Sequence, residues 1–351
     1  MNAWKKNIRI LVVSLSLLFF CAENYAAKPD SVRIDRRLTY TFNDGSVYTG
    51  QKRFGKPFGT GYTEFVNGDK YEGDYVKGLR EGIGTHKYAD GNVYSGYWHD
   101  DKQNGEGELR YLCGDVYKGE WVDGNRTGKG VYIWKDGSYY SGEWTDNRRN
   151  GTGVMMWADS SIYRGSWVGG MREGIGEFIG KDYTYKGSWK QNRENGSGEC
   201  RFVNGDYYKG EFKDGKITGN GLFTFANGDR YQGSLRNGLA DGKGTFFWAD
   251  GSKYEGDWKE NRRHGTGQMI WANGDSYYGE WQGDNPWGEG SMHLNDGTKY
   301  KGGFTNGAVD GKGLIEEDDG TRIEGMFKEG MRTGEFTVRD RSGKKIRTIV
   351  Y

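Results

Sequence analysis

Few side chains in this sequence are spaced for catalysis. The four histidines, His86, His99, His264 and His293, sit at unrelated offsets and lack metal-ligand spacing. The phosphate-cradling string G-x-x-x-x-G-K-[ST] does not occur. Short G-x-G strings abound, such as Gly105-x-Gly107 and Gly128-x-Gly130. Each lies in an alternating strand pattern and none opens a helix, so these glycines read as structural. A G-x-S-x-G elbow in an α/β setting is also missing. Carboxylates recur at Asp74, Glu120, Glu143, Glu211, Asp257 and Glu280. That regularity marks a solvated ladder rather than a paired acid and base. The expectation is therefore a protein that is not an enzyme, with no cofactor, no metal and no small-molecule substrate.

Two residue classes could instead bind. The first is cationic: Lys56, Arg80, Lys102, Arg126, Arg148, Arg149, Arg172, Arg193, Lys216, Arg262, Arg263 and Arg332. Placed in a loop along one edge, they would form a ridge for an anionic polymer or membrane surface. Neighbouring Glu81, Glu173, Glu194 and Asp241 would partly neutralise it. The second class is aromatic: Trp98, Trp121, Trp144, Trp167, Trp189, Trp258 and Trp281. These rings would form the core of one sheet face, and any left uncovered would offer a groove for a protein partner, a glycan or a second copy.

What positions these residues is a repeat. Segments like YKGEWVDGNRTGKGVYIWKDGSY begin at Tyr48, Tyr71, Tyr94, Tyr117, Tyr140, Tyr163, Tyr185, Tyr208, Tyr231, Tyr254, Tyr277, Tyr300 and Ile323. The spacing is 23 residues, except 22 between Tyr163 and Tyr185. Counting from the Tyr as position 1, positions 3 and 12 are Gly in all thirteen repeats. Position 14 is Gly in all but one, where Phe336 stands. Position 5 is aromatic except at Lys52 and Leu235, and positions 20–21 are mostly Asn-Gly or Asp-Gly.

The pattern Y-x-G-x-W-x-x-G-x-x-x-G-x-G resembles the MORN (membrane occupation and recognition nexus) repeat, over residues 38 to about 343. The resemblance implies a hairpin per repeat. It also implies a role as a protein-interaction scaffold that could self-associate, with binding of an anionic lipid surface as the alternative. Some plant lipid kinases carry such repeats, but here the repeats consume the chain.

The residues themselves support the same fold. Positions 1, 3 and 5 share one strand face, and positions 14, 16 and 18 share a face of the second strand. Joining the two faces needs an odd-length turn, and residues 19–21 with a left-handed Gly provide it. Glycines at 3, 12 and 14 would make room for rings. The expected fold is all-β: an elongated single-layer antiparallel meander of ~26 strands, ~120 Å long at ~4.8 Å per strand, preceded by a signal helix. Residues 38–47 form a half repeat, 48–343 the array, and 344–351 a capping strand. A local irregularity is expected around 158–185, where Ser160 replaces the turn Gly and one repeat is short. Cys113 and Cys200, four repeats apart, would lie ~40 Å from each other, too far for an intramolecular disulfide; an intermolecular one stays open.

Residues 1–27 read as a secretory signal: a basic MNAWKKNIR, an apolar Ile10–Ala22, then ENYAA. A spanning helix needs ~20 apolar residues, so cleavage near Ala26 or Ala27 is expected, with a retained anchor as the alternative. Phe20 is too bulky to precede a lipid-modified Cys21. Residues 28–37 form a linker. The expected location is periplasmic or extracellular. Net charge is +1 overall and, without Lys5, Lys6, Arg9 and Glu23, about −1, which gives no footprint for nucleic acid.

Overall fold

The computed structural model describes residues 38–351, all strands and connecting turns. The expected signal segment, its helix and the 28–37 linker lie outside the described residues. The chain divides into two compact bodies at Asn125/Arg126. The first holds β1 (Thr39–Thr41), β2 (Val47–Arg53), β3 (Lys56–Glu64), β4 (Lys70–Val76), β5 (Leu79–Lys87), β6 (Val93–His99), β7 (Lys102–Arg110) and β8 (Val116–Val122). The second begins with β9 (Asn125–Ile133), β10 (Tyr139–Thr145), β11 (Arg148–Met156), β12 (Ile162–Val168), β13 (Met171–Ile179), β14 (Tyr183–Lys190) and β15 (Arg193–Phe202). It continues with β16 (Tyr207–Lys213), β17 (Lys216–Thr224), β18 (Arg230–Arg236), β19 (Leu239–Phe247), β20 (Lys253–Lys259) and β21 (Arg262–Ile270). The last are β22 (Ser276–Gln282), β23 (Asn285–His293), β24 (Lys299–Thr305), β25 (Ala308–Glu316), β26 (Arg322–Lys328), β27 (Met331–Arg339) and β28 (Lys345–Val350). Within each body every strand pairs antiparallel with its sequence neighbours, for example β4 with β5 and β20 with β21.

Two kinds of turn alternate. Between repeats, position 18 donates its N–H to the carbonyl of position 22 and accepts from position 21, as in Phe65 with Asp69 and Gly68. That encloses three residues, and Gly68 adopts φ +90°, a conformation that costs glycine nothing. Within a repeat the turn is tighter. Positions 7 and 8 both take positive φ, as at Asp123 (49°) and Gly124 (82°), the two-residue hairpin turn whose twist matches the strands. The turn therefore precedes positions 9–10. Those positions are the first residues of the long strand, not a loop as their polarity suggested.

Position 12 also differs from expectation. Gly105 abuts Tyr97, but most of its glycines clear no ring. They adopt positive φ, for instance Gly82 at 70° and Gly265 at 58°, where the register slips between Gly73↔Gly84 and Tyr75↔Arg80. The slip is a bulge, and position 4 satisfies it. Asp257 Oδ2 accepts the N–H of Thr266 at 3.0 Å, and Glu143 Oε1 accepts that of Thr152 at 3.2 Å. Asp74, Glu211 and Glu280 do the same. In these repeats the recurring carboxylate caps its own bulge, which corrects the reading of a merely solvated ladder.

The core is a zipper of rings over paired glycines. Position 3 faces position 14 across the hairpin, as Gly142 faces Gly153. The ring of Tyr140 lies over both, and its hydroxyl donates to the Glu143 carbonyl at 3.0 Å. A Cβ on Gly153 would overlap the Tyr140 ring. Most of these Tyr rings then meet two position-5 rings edge-to-face, while Tyr48, Tyr208 and Tyr231 meet one because Lys52 and Leu235 are not aromatic. Tyr163 lies 5.2 Å from Trp167 in its own repeat and 5.1 Å from Trp189 in the next. Each position-5 Trp donates Nε1–H to the position-14 carbonyl of the preceding repeat, as Trp258 does to Gly244 at 3.0 Å. The geometry is the edge-to-face preference of ring quadrupoles, worth ~0.5–1.5 kcal/mol per pair beyond burial.

Ser160 holds the left-handed turn position at φ 68° with the usual bond to Trp157 intact. The short repeat loses its residue within the turn, where Gly180 donates to Tyr183. Registers on both sides, Met155↔Tyr163 and Phe178↔Tyr185, stay in step. The expected irregularity is thus confined to the connection. At the C-terminal end Ile323 replaces the position-1 Tyr, and Phe336 fills the vacated space from position 14, over Gly325. Tyr351 then pairs with Gly334 and packs 5.2 Å from Phe336, where a following repeat would place its Trp.

Candidate binding surfaces

Strand parity divides the twelve cations. Position 10 has the parity of 14 and 16, so its side chain turns onto the aromatic face. Arg80 stacks on Trp98 at 4.2 Å, Arg126 on Trp144 at 4.7 Å, and Arg149 on Trp167 at 4.3 Å. Arg172 stacks on Trp189 at 4.2 Å and Arg263 on Trp281 at 4.4 Å. Arg332 covers Phe336 and bonds the Tyr351 hydroxyl at 2.6 Å. The guanidinium groups also clamp the next turn: Arg80 Nη2 donates to the Asp101 carbonyl at 2.6 Å and Arg263 Nη2 to that of Asp284 at 2.8 Å. Burial lowers the pKa of Arg149 and Arg172 from the ordinary arginine value. These six arginines join one repeat to the next. Lys56, Lys102, Arg148, Arg193, Lys216 and Arg262, at position 9, are exposed, and Lys102 meets Asp123 at 3.2 Å.

The seven tryptophans do not line a groove. Trp98, Trp121, Trp144, Trp167, Trp189, Trp258 and Trp281 are all buried, none more than 8% exposed. Rings and stacked arginines cover one another, which supplies the cover that a single layer was expected to lack. Rings at position 18, such as Phe202, Phe225 and Trp248, remain half-buried.

The reverse face carries what the sequence reading missed. The row formed by positions 17 and 23 mixes charged and apolar residues, and ion pairs bridge it in places. Lys70 meets Glu64 at 3.8 Å, and Glu316 meets Lys299 at 3.6 Å and Arg322 at 3.1 Å. Across β9–β13 the same row becomes Ile133, Tyr139, Met156, Ile162 and Ile179, each opposite the next in register. Ile133 is 39% exposed and the others half-buried. Val131 and Val154 flank it in the neighbouring row. The signal for this row lies in the parity of position 17, which alternates with positions 16 and 18 of the aromatic face.

Two titratable clusters occur in the first body. His86 is 3% exposed. Its Nδ1 accepts from Arg80 Nη1 and its Nε2–H donates to Asp69, both at 3.0 Å. Burial pushes its pKa down, and the neutral ring satisfies both partners. Glu81, His99 and Asp100 bring three possible ligand atoms within 4.8 Å. His99 Nδ1 lies 2.9 Å from Glu81 Oε1, and that bond raises the histidine's pKa; ion pairing accounts for the cluster. It joins position 11 of one repeat to positions 6 and 7 of the next, so sequence spacing could not display it. Cys113 is exposed at a turn and Cys200 is buried; both are free thiols.

The fold is thus an antiparallel hairpin-repeat array whose recurring residues hold hairpins to one another. A family model described as MORN repeat matches residues 48–70, 71–93, 94–111, 117–139, 140–162, 163–184, 185–207, 208–230, 231–253, 254–276 and 277–299. The chain belongs to the MORN repeat family. Curated proteins give no match. Among solved structures, the chain is similar to the TCP10 domain of Danio rerio CPAP in complex with a STIL peptide. Identity is 14%, covering 64% of this chain and 95% of that one, with a TM-score of 0.32. It is also similar to the SAS-4 TCP domain of Drosophila melanogaster in complex with a proline-rich motif of Ana2. There identity is 11%, covering 49% and 86%, with a TM-score of 0.27. At such scores the likeness carries no argument about this chain.

Proposed function

We propose that this protein is an exported, non-enzymatic scaffold that binds protein, with a second copy of itself as the first partner. The observation that carries this is the unbroken apolar row Ile133–Tyr139–Met156–Ile162–Ile179, on a face where charged and apolar residues otherwise intermix. A solvated face gains nothing from five aligned apolar side chains, whereas an interface does. One patch used twice across a two-fold axis gives a closed, self-complementary contact. Light scattering across a concentration series tests it. Dimer is expected for the native sequence and monomer for Ile162→Lys, with unchanged circular dichroism in both. A native chain that stays monomeric, and that cross-links to no protein in its host, defeats the proposal.

A second reading rests on the six exposed position-9 cations. Binding to anionic vesicles at low salt, weakened by Arg193→Ala and Lys216→Ala and abolished at high salt, would support it. No binding at low salt would remove it.

A further inference from the structure

The repeat supplies its own controls, because equivalent positions can be compared along the sheet. On the reverse face, positions 2 and 15 form one row and positions 4 and 13 another, with the glycine backbone of positions 3 and 14 between them. Over β12–β16 the first row runs Arg164, Glu177, Lys186, Glu199 and Lys209, an alternation of charge in register. Over β17–β22 it changes to Leu222, Gln232, Thr245, Glu255, Gln268 and Tyr278. The second row there includes Asn220, Lys243 and Thr266. Between the rows lies a shallow trough of about 890 Å³, floored by Gly221, Gly233, Gly244, Gly256 and Gly267.

The chemistry of this trough differs from that of its surroundings. Its charges are spent internally: Lys243 pairs with Asp257 and Glu255 with Lys253, both at 2.7 Å. The side chains of Gln232, Thr245 and Gln268 make no hydrogen bond within the described residues, so their donors and acceptors face outward. Tyr278 is 58% exposed at one end, with its ring free of other rings. Six strands at ~4.8 Å give a run of ~24 Å. Outward amides and hydroxyls in a line, a flat ring and no net charge match a ligand with many hydroxyls, flat apolar faces and no charge of its own. An amide offers a donor and an acceptor side by side to adjacent hydroxyls, and an aromatic ring accepts the C–H face of a pyranose. A nucleic acid or anionic lipid would require unpaired cations in the trough, whose one lining cation, Lys243, is paired with Asp257.

We propose that the trough over β17–β22 binds an uncharged oligosaccharide along the glycine floor, with Gln232 and Gln268 bonding its hydroxyls and Tyr278 stacking on a ring. The site is separate from the apolar row over β9–β13, so either proposal can fail alone. The test is calorimetric titration of the full chain with cellohexaose, maltohexaose and chitohexaose at low and high salt. At least one should bind, with affinity unchanged by salt and lowered about tenfold or more by Tyr278→Ala and by Gln268→Ala. Both side chains are exposed, so the variants should melt with the native chain. Tyr62→Ala, at the same repeat position as Gln268 but outside the trough, should leave binding intact. The proposal is overturned if none of the three binds, if binding ignores both trough variants, or if it falls steeply with salt. A peptide that competes for the trough where no sugar binds would assign it to protein instead.

Discussion

Arg262 and Arg263 are adjacent, equally charged and opposite in role. Arg263 lies over Trp281 and bonds Asp284, whereas Arg262 is exposed. A desolvated cation–ring contact is worth about 1–2 kcal/mol. Arg263→Ala should therefore cost at least that much in urea unfolding, and Arg262→Ala should stay within about 0.5 kcal/mol. Equal losses would refute the division of the cations. His86 offers a pH test. Its folded pKa is lowered by burial, while the unfolded residue titrates near 6.5. In the window just below 6.5 the unfolded chain holds the extra proton, so the neutral ring's contribution is complete above that pH and is lost as pH falls through the window. Melting temperature should drop between about pH 7.5 and about pH 5.5, and less so in His86→Gln. Identical pH slopes for the two proteins would show that His86 is not the group responsible. The split of positions 9 and 10 was legible in principle, since position 10 shares parity with 14 and 16. It was obscured because a basic dipeptide following a polar stretch looks like a loop. Asp123-Gly124, Asp214-Gly215 and Asn306-Gly307 at positions 7–8 were the better turn signal.

At the scale of the hairpin, both edges are hooked from one repeat to the next. Asp69 Oδ1 accepts the N–H of Ala89 in the following turn at 2.8 Å, and Asp229 does the same for Ala249. On the other edge Asn261 Oδ1 accepts from Ala240 at 2.6 Å. Period, strand parity and the three-residue turn could be read from sequence because each is set by local backbone geometry. The bulge at position 12 could not, because its cause is a register slip between two strands. In the turns between repeats, Ser160 is the one residue of the described chain that replaces the left-handed glycine of position 21 and still holds positive φ. Ser160→Gly should raise stability by about 0.5–1 kcal/mol, seen as a higher thermal midpoint. A lower midpoint would mean that Ser160 holds contacts not evident in its exposed position.

Whole-molecule behaviour follows from repetition. Each repeat meets only its neighbours, so stability should sum over repeats and their interfaces. Excising residues 254–276 joins Lys253 to Tyr277 with period and parity kept. The shortened chain should fold, with a melting temperature lower by about 2–6 °C. Excising only 265–276 brings together strands of the wrong direction and should leave the chain downstream unfolded by hydrogen exchange. If the half-repeat deletion folded as well as the full one, the glycine and ring register would not govern assembly.

The indole bond that crosses from Trp258 to Gly244 has an optical consequence. Every position-5 tryptophan owes its dry environment to the repeat before it, so its emission reports a junction rather than a hairpin. Tyr75, Phe304 and Phe327 occupy the same position near the two ends. Fraying that begins at either terminus should therefore pass unseen in this part of the emission until it reaches Trp98 or Trp281. Hydrogen exchange or circular dichroism would record the loss first, and the interval between the two signals measures how far the array has opened.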